Sequence, residues 1–336
     1  MKSLRGILLF FACTAAAGEW EATVENYLHY TTDVSLFSAS RRLAHDQDPT
    51  LPLIETEFAH RRSDVVYEPE ITLYRRLNTR LGQGRFGIIA EGFIFRERSR
   101  FTHPLVGIDW TQAIPGGYRI LLRYTAVPDL YLGRNRRRPL ADAPHAEGEN
   151  DPGLAPEEVS THYWSLGLGH DFGERIHARI FGRYGLRRYE APFEHRDNDF
   201  WTVGVHLEME STENVEMILG YHFERAYADG RHRPELRDDV SYRNHYLTGE
   251  FVIAVTPLLT LEIGGHYERN GWTSAIEGDI RRGEYEDTVQ GEVALLYRLT
   301  DHLEISLELQ GIHRKESFED TGIASYNTSF GLHFLL

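Results

Sequence analysis

The sequence predicts an all-β fold, a transmembrane antiparallel up-and-down β-barrel of about fourteen strands, with twelve as the alternative. Three observations carry this reading. Strict alternation of apolar and polar residues recurs over segments of ten to fourteen residues, whereas strands of a soluble sandwich usually run to about five or six. The connectors between these segments alternate between very short and long. After the N-terminal leader, no apolar run approaches the roughly 18 residues that a spanning helix needs.

The chain opens with Lys2 and Arg5, an apolar run from Gly6 to Cys13, and the small residues Ala15, Ala16 and Ala17. That order predicts a signal peptide over 1–17, followed by a single barrel domain over 18–336. Cys13 is the only cysteine. It falls in the leader, where lipidation is the competing use, so the mature chain has no disulfide and no thiolate metal site. Strands are predicted near 19–30, 65–76, 85–97, 105–113 and 117–127, with long loops at 31–64 and 129–160. The segments "LVGIDWTQA" and "VVYEPEITL" are the poorest of these, and Pro69 costs the latter a ladder hydrogen bond.

From residue 161 onward nine segments alternate clearly. In "WTVGVHLEME", Trp201, Val203, Val205, Leu207 and Met209 share one face, and Thr202, Gly204, His206, Glu208 and Glu210 share the other. "VEMILGYHF", "LTLEIGGHY", "VQGEVALLY" and "LEISLEL" repeat the pattern. Short connectors lie at 171–175, 211–214, 256–258 and 300–302. Long polar ones lie at 190–199, 229–242, 270–286 and 315–322.

Closure follows from the backbone. In hydrocarbon every N–H and C=O needs an internal partner, and a sheet supplies one everywhere only when it closes on itself. One face then meets lipid and the other the lumen. This explains a strictly apolar face on a chain of net charge −15. Trp20, Tyr30, Trp164, Trp201, Tyr267, Tyr297 and Tyr326 sit on the apolar faces toward strand ends, as interfacial aromatics do.

The final stretch, "SYNTSFGLHFLL", resembles the C-terminal assembly signal of bacterial outer-membrane β-barrel proteins. Its matching residues are Tyr326, Phe330, Leu332, Phe334 and Leu336, with Leu336 where that family usually has phenylalanine. The resemblance is porin-like and selects no subfamily. It implies residence in a Gram-negative outer membrane and recognition by the barrel-assembly machinery. It also implies contact with outer-membrane lipids and lipopolysaccharide, and a last strand that closes on the strand beginning at Glu19.

Function belongs on the lumen face. Parity directs Arg119, Arg123, Arg179 and Arg183 inward from the fifth and seventh strands. The same count directs His206, Glu208, Glu210, Glu216, His222, Glu224, Glu250, Glu262, His266, Glu268, Glu292, Glu304 and Glu308 inward from the eighth to the thirteenth. Opposed basic and acidic walls set a transverse field that orients dipolar solutes; alternatively, the same groups pair and fill the barrel.

The acidic excess excludes nucleic acid as a partner. No cofactor is expected. The pairs His206/Glu208, His222/Glu224 and His266/Glu268 could bind zinc, but they fall at different heights, so solvated lumen pairs are expected and no metal site. "GQGRFG" satisfies the G-x-G-x-x-G spacing at Gly82, Gly84 and Gly87, yet no helix follows to hold a pyrophosphate, so a turn is expected. The basic cluster "GRNRRRP" at 133–139 is read as a solvated loop, with lipopolysaccharide phosphate as its alternative partner.

The resulting function is a channel for small hydrophilic solutes with mild cation preference. One alternative is a non-conducting structural or surface-binding barrel. Another is a lipid-modifying enzyme using His162 or His170 on the lipid face, but no serine stands beside either on that face within its strand, and no enzyme is expected.

Overall fold

The computed structural model describes residues 20–37, 63–136, 154–279, 281–317 and 322–336. The predicted leader with Cys13 lies outside them, as do parts of the two longest predicted loops and residues 137–139 of the basic cluster. Fourteen antiparallel strands follow one another around a closed barrel. In the first half these are β1 (Trp20–Thr31), β2 (Asp64–Thr79), β3 (Gly82–Phe95), β4 (His103–Ile114), β5 (Tyr118–Arg136), β6 (Leu154–Asp171) and β7 (Ile176–Tyr189). In the second half they are β8 (Asn198–Thr212), β9 (Val215–Ala228), β10 (Tyr242–Thr256), β11 (Leu259–Trp272), β12 (Tyr285–Thr300), β13 (Leu303–Glu316) and β14 (Ile323–Leu335).

The seam is where the greasy terminal segment goes. β14 pairs with β1 from Thr23↔Leu335 to Thr31↔Asn327, and Leu336 and Ala22 exchange backbone hydrogen bonds at 2.9 and 3.1 Å. Among the described residues no sheet edge remains, which satisfies the amide condition for life in hydrocarbon.

Pro69 is accommodated asymmetrically. Its β1 side keeps register opposite Asn26, while the β2–β3 ladder steps from Tyr67↔Ile94 to Glu70↔Glu91. The missing N–H is thus absorbed on one side of one strand.

The outer surface is an apolar belt. Leu28, Ile71, Ile108, Leu122, Leu166, Ile180, Val203, Leu247, Phe251, Val289 and Leu307 are all at least 40% exposed. Trp20, Tyr30, Trp164, Trp201, Tyr267, Tyr297 and Tyr326 are exposed on the same face. Such a surface on a closed sheet is the inverse of a soluble protein and fits a membrane-spanning barrel.

One loop expectation is corrected. Residues 129–136 and 154–160 are strand, because β5 and β6 run on past the expected boundaries at 127 and 161. Irregularities in the ladder at Val127/Leu130 and Tyr131/Gly133 interrupt the period of two and hide these extensions from the sequence. Beyond them Leu130, Leu132, Ala155, Val159, Tyr189 and Phe193 form a buried cluster at the long-loop end.

Candidate functional site

The lumen has two halves of different character. Its long-loop half is packed. On β9 the inward residues Gly220, His222, Glu224, Ala226 and Ala228 are buried, whereas Glu216 and Ile218 below them are half-buried. On β8 and β10 burial changes in the same way, above Glu208 and Glu250 respectively. The interior is therefore packed less tightly toward the short turns.

The chain after β1 contributes to the packing. Thr32 is tethered to β14 through Ser325 Oγ at 3.2 Å and through the Tyr326 N–H, which donates to Thr32 Oγ1 at 2.9 Å. Asp33 then accepts hydrogen bonds from the Ser35 backbone N–H at 3.0 Å and the Ser35 hydroxyl at 2.6 Å. This is the N-cap arrangement that starts a helical turn, and the turn occupies 34–37.

Phe37 is fully buried. It lies edge-on to His29 at 5.1 Å and to Phe93 and Phe95 of β3 at 6.3 and 5.8 Å. Leu36 packs in a cluster with Tyr246 of β10 and Ile312 of β13. Because β3 and β10 are seven strands apart in a ring of fourteen, this short strap joins opposite walls. Sequence reading placed 31–64 as a loop without assigning it a direction. The Asp-x-Ser capping pattern followed by Leu-Phe was the available signal.

Beneath the strap runs a polar chain. The Tyr246 hydroxyl and Thr248 Oγ1 lie 2.8 and 2.9 Å from His266 Nδ1. His266 Nε2 lies 3.0 Å from Glu292, which also accepts from Gln290 and Gln310, each at 3.0 Å. Gln310 in turn accepts from Asn327 at 2.7 Å.

A second chain begins at Arg179, whose guanidinium donates to His206 Nδ1 at 3.1 Å. Because arginine can only donate, a neutral His206 carries its proton on Nε2 and donates it to His222 Nε2, 2.6 Å away. His29 completes the set, 2.7 Å from Ser329 Oγ and 3.0 Å from Glu68. His29, Glu68, Arg187, Tyr246, Gln290 and Gln310 were missed by sequence reading, which weighed charge by parity and not packing against a strap.

The three His-x-Glu pairs behave differently from the solvated pairs expected. His206, His222 and His266 are buried, and their ring nitrogens meet partners on neighbouring strands. Glu224 accepts from Thr202 and Tyr242 at 2.6 and 2.5 Å and lies 3.7 Å from the buried Arg187. Glu268 accepts from Asn244 at 2.6 Å. Burial of each imidazole demands partners at its own height, and those come from neighbouring strands. Among the described residues no three His, Cys, Asp or Glu side chains gather as a metal-ligand set.

The short-turn half is charged and mostly half-buried. Glu210 faces Glu216 across the β8–β9 ladder, and Glu262 and Glu308 each stand opposite Ala294 of β12. Glu208, Glu250, Glu292 and Glu304 share this half. On the other wall, Arg119 pairs with Asp171 at 2.9 Å near the rim. Arg183, Ser165, Arg123 and Asp109 follow one another as register partners from β7 to β4. β5 and β12 are seven strands apart, so Arg123 and Glu292 are borne by opposite walls.

Outside the wall, three long loops are locked together. Asp238 accepts from Arg196 Nε at 2.8 Å and Arg281 Nη1 at 2.7 Å, and lies 2.5 Å from His195 Nε2. Arg196 reaches on to Glu157 at 2.9 and 3.0 Å. Burial pushes the Asp238 carboxyl up, but Arg196, Arg281 and the His195 hydrogen bond outweigh it and hold the carboxyl well below the usual carboxylate range.

The "GQGRFG" stretch is a turn only at its start. Gly82 has φ +133°, whereas Gly84 and Gly87 lie inside β3. A Cβ on Gly84 would meet the Trp110 ring at 2.6 Å, and one on Gly87 would collide with the Asp109 carboxylate. These two glycines make room for the side chains of β4.

Architecture and apolar belt together define a closed transmembrane β-barrel. No family model matches the chain, and no curated protein matches it. Solved structures do. The outer membrane channel DcaP of Acinetobacter baumannii superposes with a TM-score of 0.53 at 9% identity, covering 94% of this chain and 96% of that one. An anion-selective porin from Comamonas acidovorans gives 0.45 at 8% identity over 94% and 98% of the two chains. OccD3 of Pseudomonas aeruginosa gives 0.42 at 12% identity over 95% and 94%. The chain has the fold of bacterial outer-membrane channels.

Proposed function

We propose that this chain is a Gram-negative outer-membrane channel that admits small hydrophilic solutes with mild preference for cations. The observation that carries the reading is the acid-rich half of the lumen, where Glu208, Glu210, Glu216, Glu250, Glu262, Glu292, Glu304 and Glu308 are at least partly exposed on the interior face. A carboxylate-lined vestibule in a low-dielectric wall concentrates cations and repels anions. The fold shared with the DcaP channel supports it. Short turns then face the periplasm and long loops the exterior, with outer-membrane lipids, lipopolysaccharide and the barrel-assembly machinery as partners.

The strap at 33–37 favours a second reading, a barrel that does not conduct at rest. Current through a planar bilayer separates the two. Stepwise conductance whose selectivity turns toward anions in Glu262→Lys and Glu292→Lys supports the channel; silence at every voltage, with folding intact, supports the closed barrel. The extension of β6 corrects one premise against the enzymatic reading, since it sets Ser160 two residues from His162 on the same face, with its hydroxyl donating to Asp129 at 3.1 Å. His162 lies 2.8 Å from the Tyr124 hydroxyl, and His170 stacks on Tyr118 with ring centroids 4.2 Å apart. Addition of phospholipid to the purified protein should yield no hydrolysis product.

A further inference from the structure

The basic wall holds a niche of about 90 Å³, lined among others by Asp109, Arg123, Ser165, Arg179, Phe181 and Arg183. One water needs roughly 10–15 Å³ of such space, so the niche admits a solute of several heavy atoms. Its floor is fixed. The guanidinium groups of Arg179 and Arg183 lie 5.8 and 5.7 Å from the Phe181 ring centroid, and that of Arg183 lies 4.8 Å from Tyr163. Arg123 is exposed to the lumen and provides the approach.

Asp109 gives the niche its second polarity. It is 8% exposed, and its Oδ1 is buried with no hydrogen-bond partner among the described residues. Arg123 is its register partner on β5, yet the two form no ion pair within 4.0 Å. Gly87 sets the carboxylate in place, since any larger residue there would occupy the same space. The motif that failed as a phosphate loop thus has a use on this wall.

Three guanidinium groups and one unpaired carboxylate around a space of this size match a small molecule bearing a carboxylate and an ammonium close together. We propose that the niche is a binding site for small zwitterionic α-amino acids. The carboxylate lies on Arg123 with Arg179 and Arg183 behind it, the ammonium lies on Asp109, and the side chain points into the lumen. This deepens the channel reading, on which it rests, by naming a substrate class. A solute bound this way lies along the field between the arginine wall and the glutamate wall, so its dipole is used twice.

The test is equilibrium calorimetry on the full chain in lipid nanodiscs, with L-alanine, propionate and inorganic phosphate as probes. Wild type should bind alanine at least about tenfold more tightly than propionate, because a buried charged hydrogen bond separates them. Asp109→Asn should lose that preference while still binding propionate, which also shows that the niche is folded. Gly87→Ala, which displaces the Asp109 carboxylate, should act in the same direction. Equal affinity for alanine and propionate in wild type, tighter binding of phosphate than of alanine, or retention of the alanine preference in Asp109→Asn would overturn the proposal. Binding is measured without current, so a silent bilayer with intact alanine binding would defeat the channel reading alone.

Discussion

At the scale of single residues, the barrel spends its buried charge on a few fixed pairings. Asp238 holds Arg196, Arg281 and His195 at once, and its carboxyl is depressed by them. For a carboxylate of lowered pKa, the stabilisation is complete above the unfolded value of about 4 and is lost as pH falls through the folded value. The clasp between the loops should therefore hold at neutral pH and loosen only in strong acid. Asp238→Asn leaves two buried guanidiniums without their shared anion and should cost about 3–5 kcal/mol. Thermal unfolding in detergent at neutral pH checks this, and a mutant as stable as wild type would contradict it. The sequence announced none of it, because Arg196, Asp238 and Arg281 are far apart in the chain and sit in segments without periodicity. The lumen glutamates were legible by parity alone; their partners, such as Gln310 for Glu292, were not, since register between strands is not written in one strand.

At the scale of elements, most of the strands announced themselves through alternation, and the fourteen-strand count held because each poor segment was still flanked by good turns. β2 survived Pro69 because only one of its two ladders needed the missing N–H. The extensions of β5 and β6 were invisible because bulges break the period that reveals strands. The strap is the element that alternation could not show, being a single helical turn whose direction depends on the whole wall. Phe37→Ala should remove its contacts with His29, Phe93 and Phe95, weakening the strap by about 3–5 kcal/mol. Hydrogen exchange should show amides 33–37 becoming labile while the strands stay protected. The same substitution should raise the frequency of bilayer openings if the strap is what closes the lumen, and an unchanged opening rate would assign closure to other segments.

At the scale of the whole molecule, one architecture reconciles an acidic composition with an apolar exterior, because the charges face inward. The purified chain should require detergent, show a β-rich circular dichroism spectrum, and stay compact in unheated sodium dodecyl sulfate. A helical, freely soluble protein would contradict the fold itself. The pairing of β1 with β14 has a further bearing on biogenesis. On the side away from β2, Thr23 to Thr31 find their mates in Asn327 to Leu335 of β14, so a nascent chain holds two raw ribbon margins until β14 has been made. Folding from one end to the other cannot complete the cylinder, and both margins need shielding until they meet.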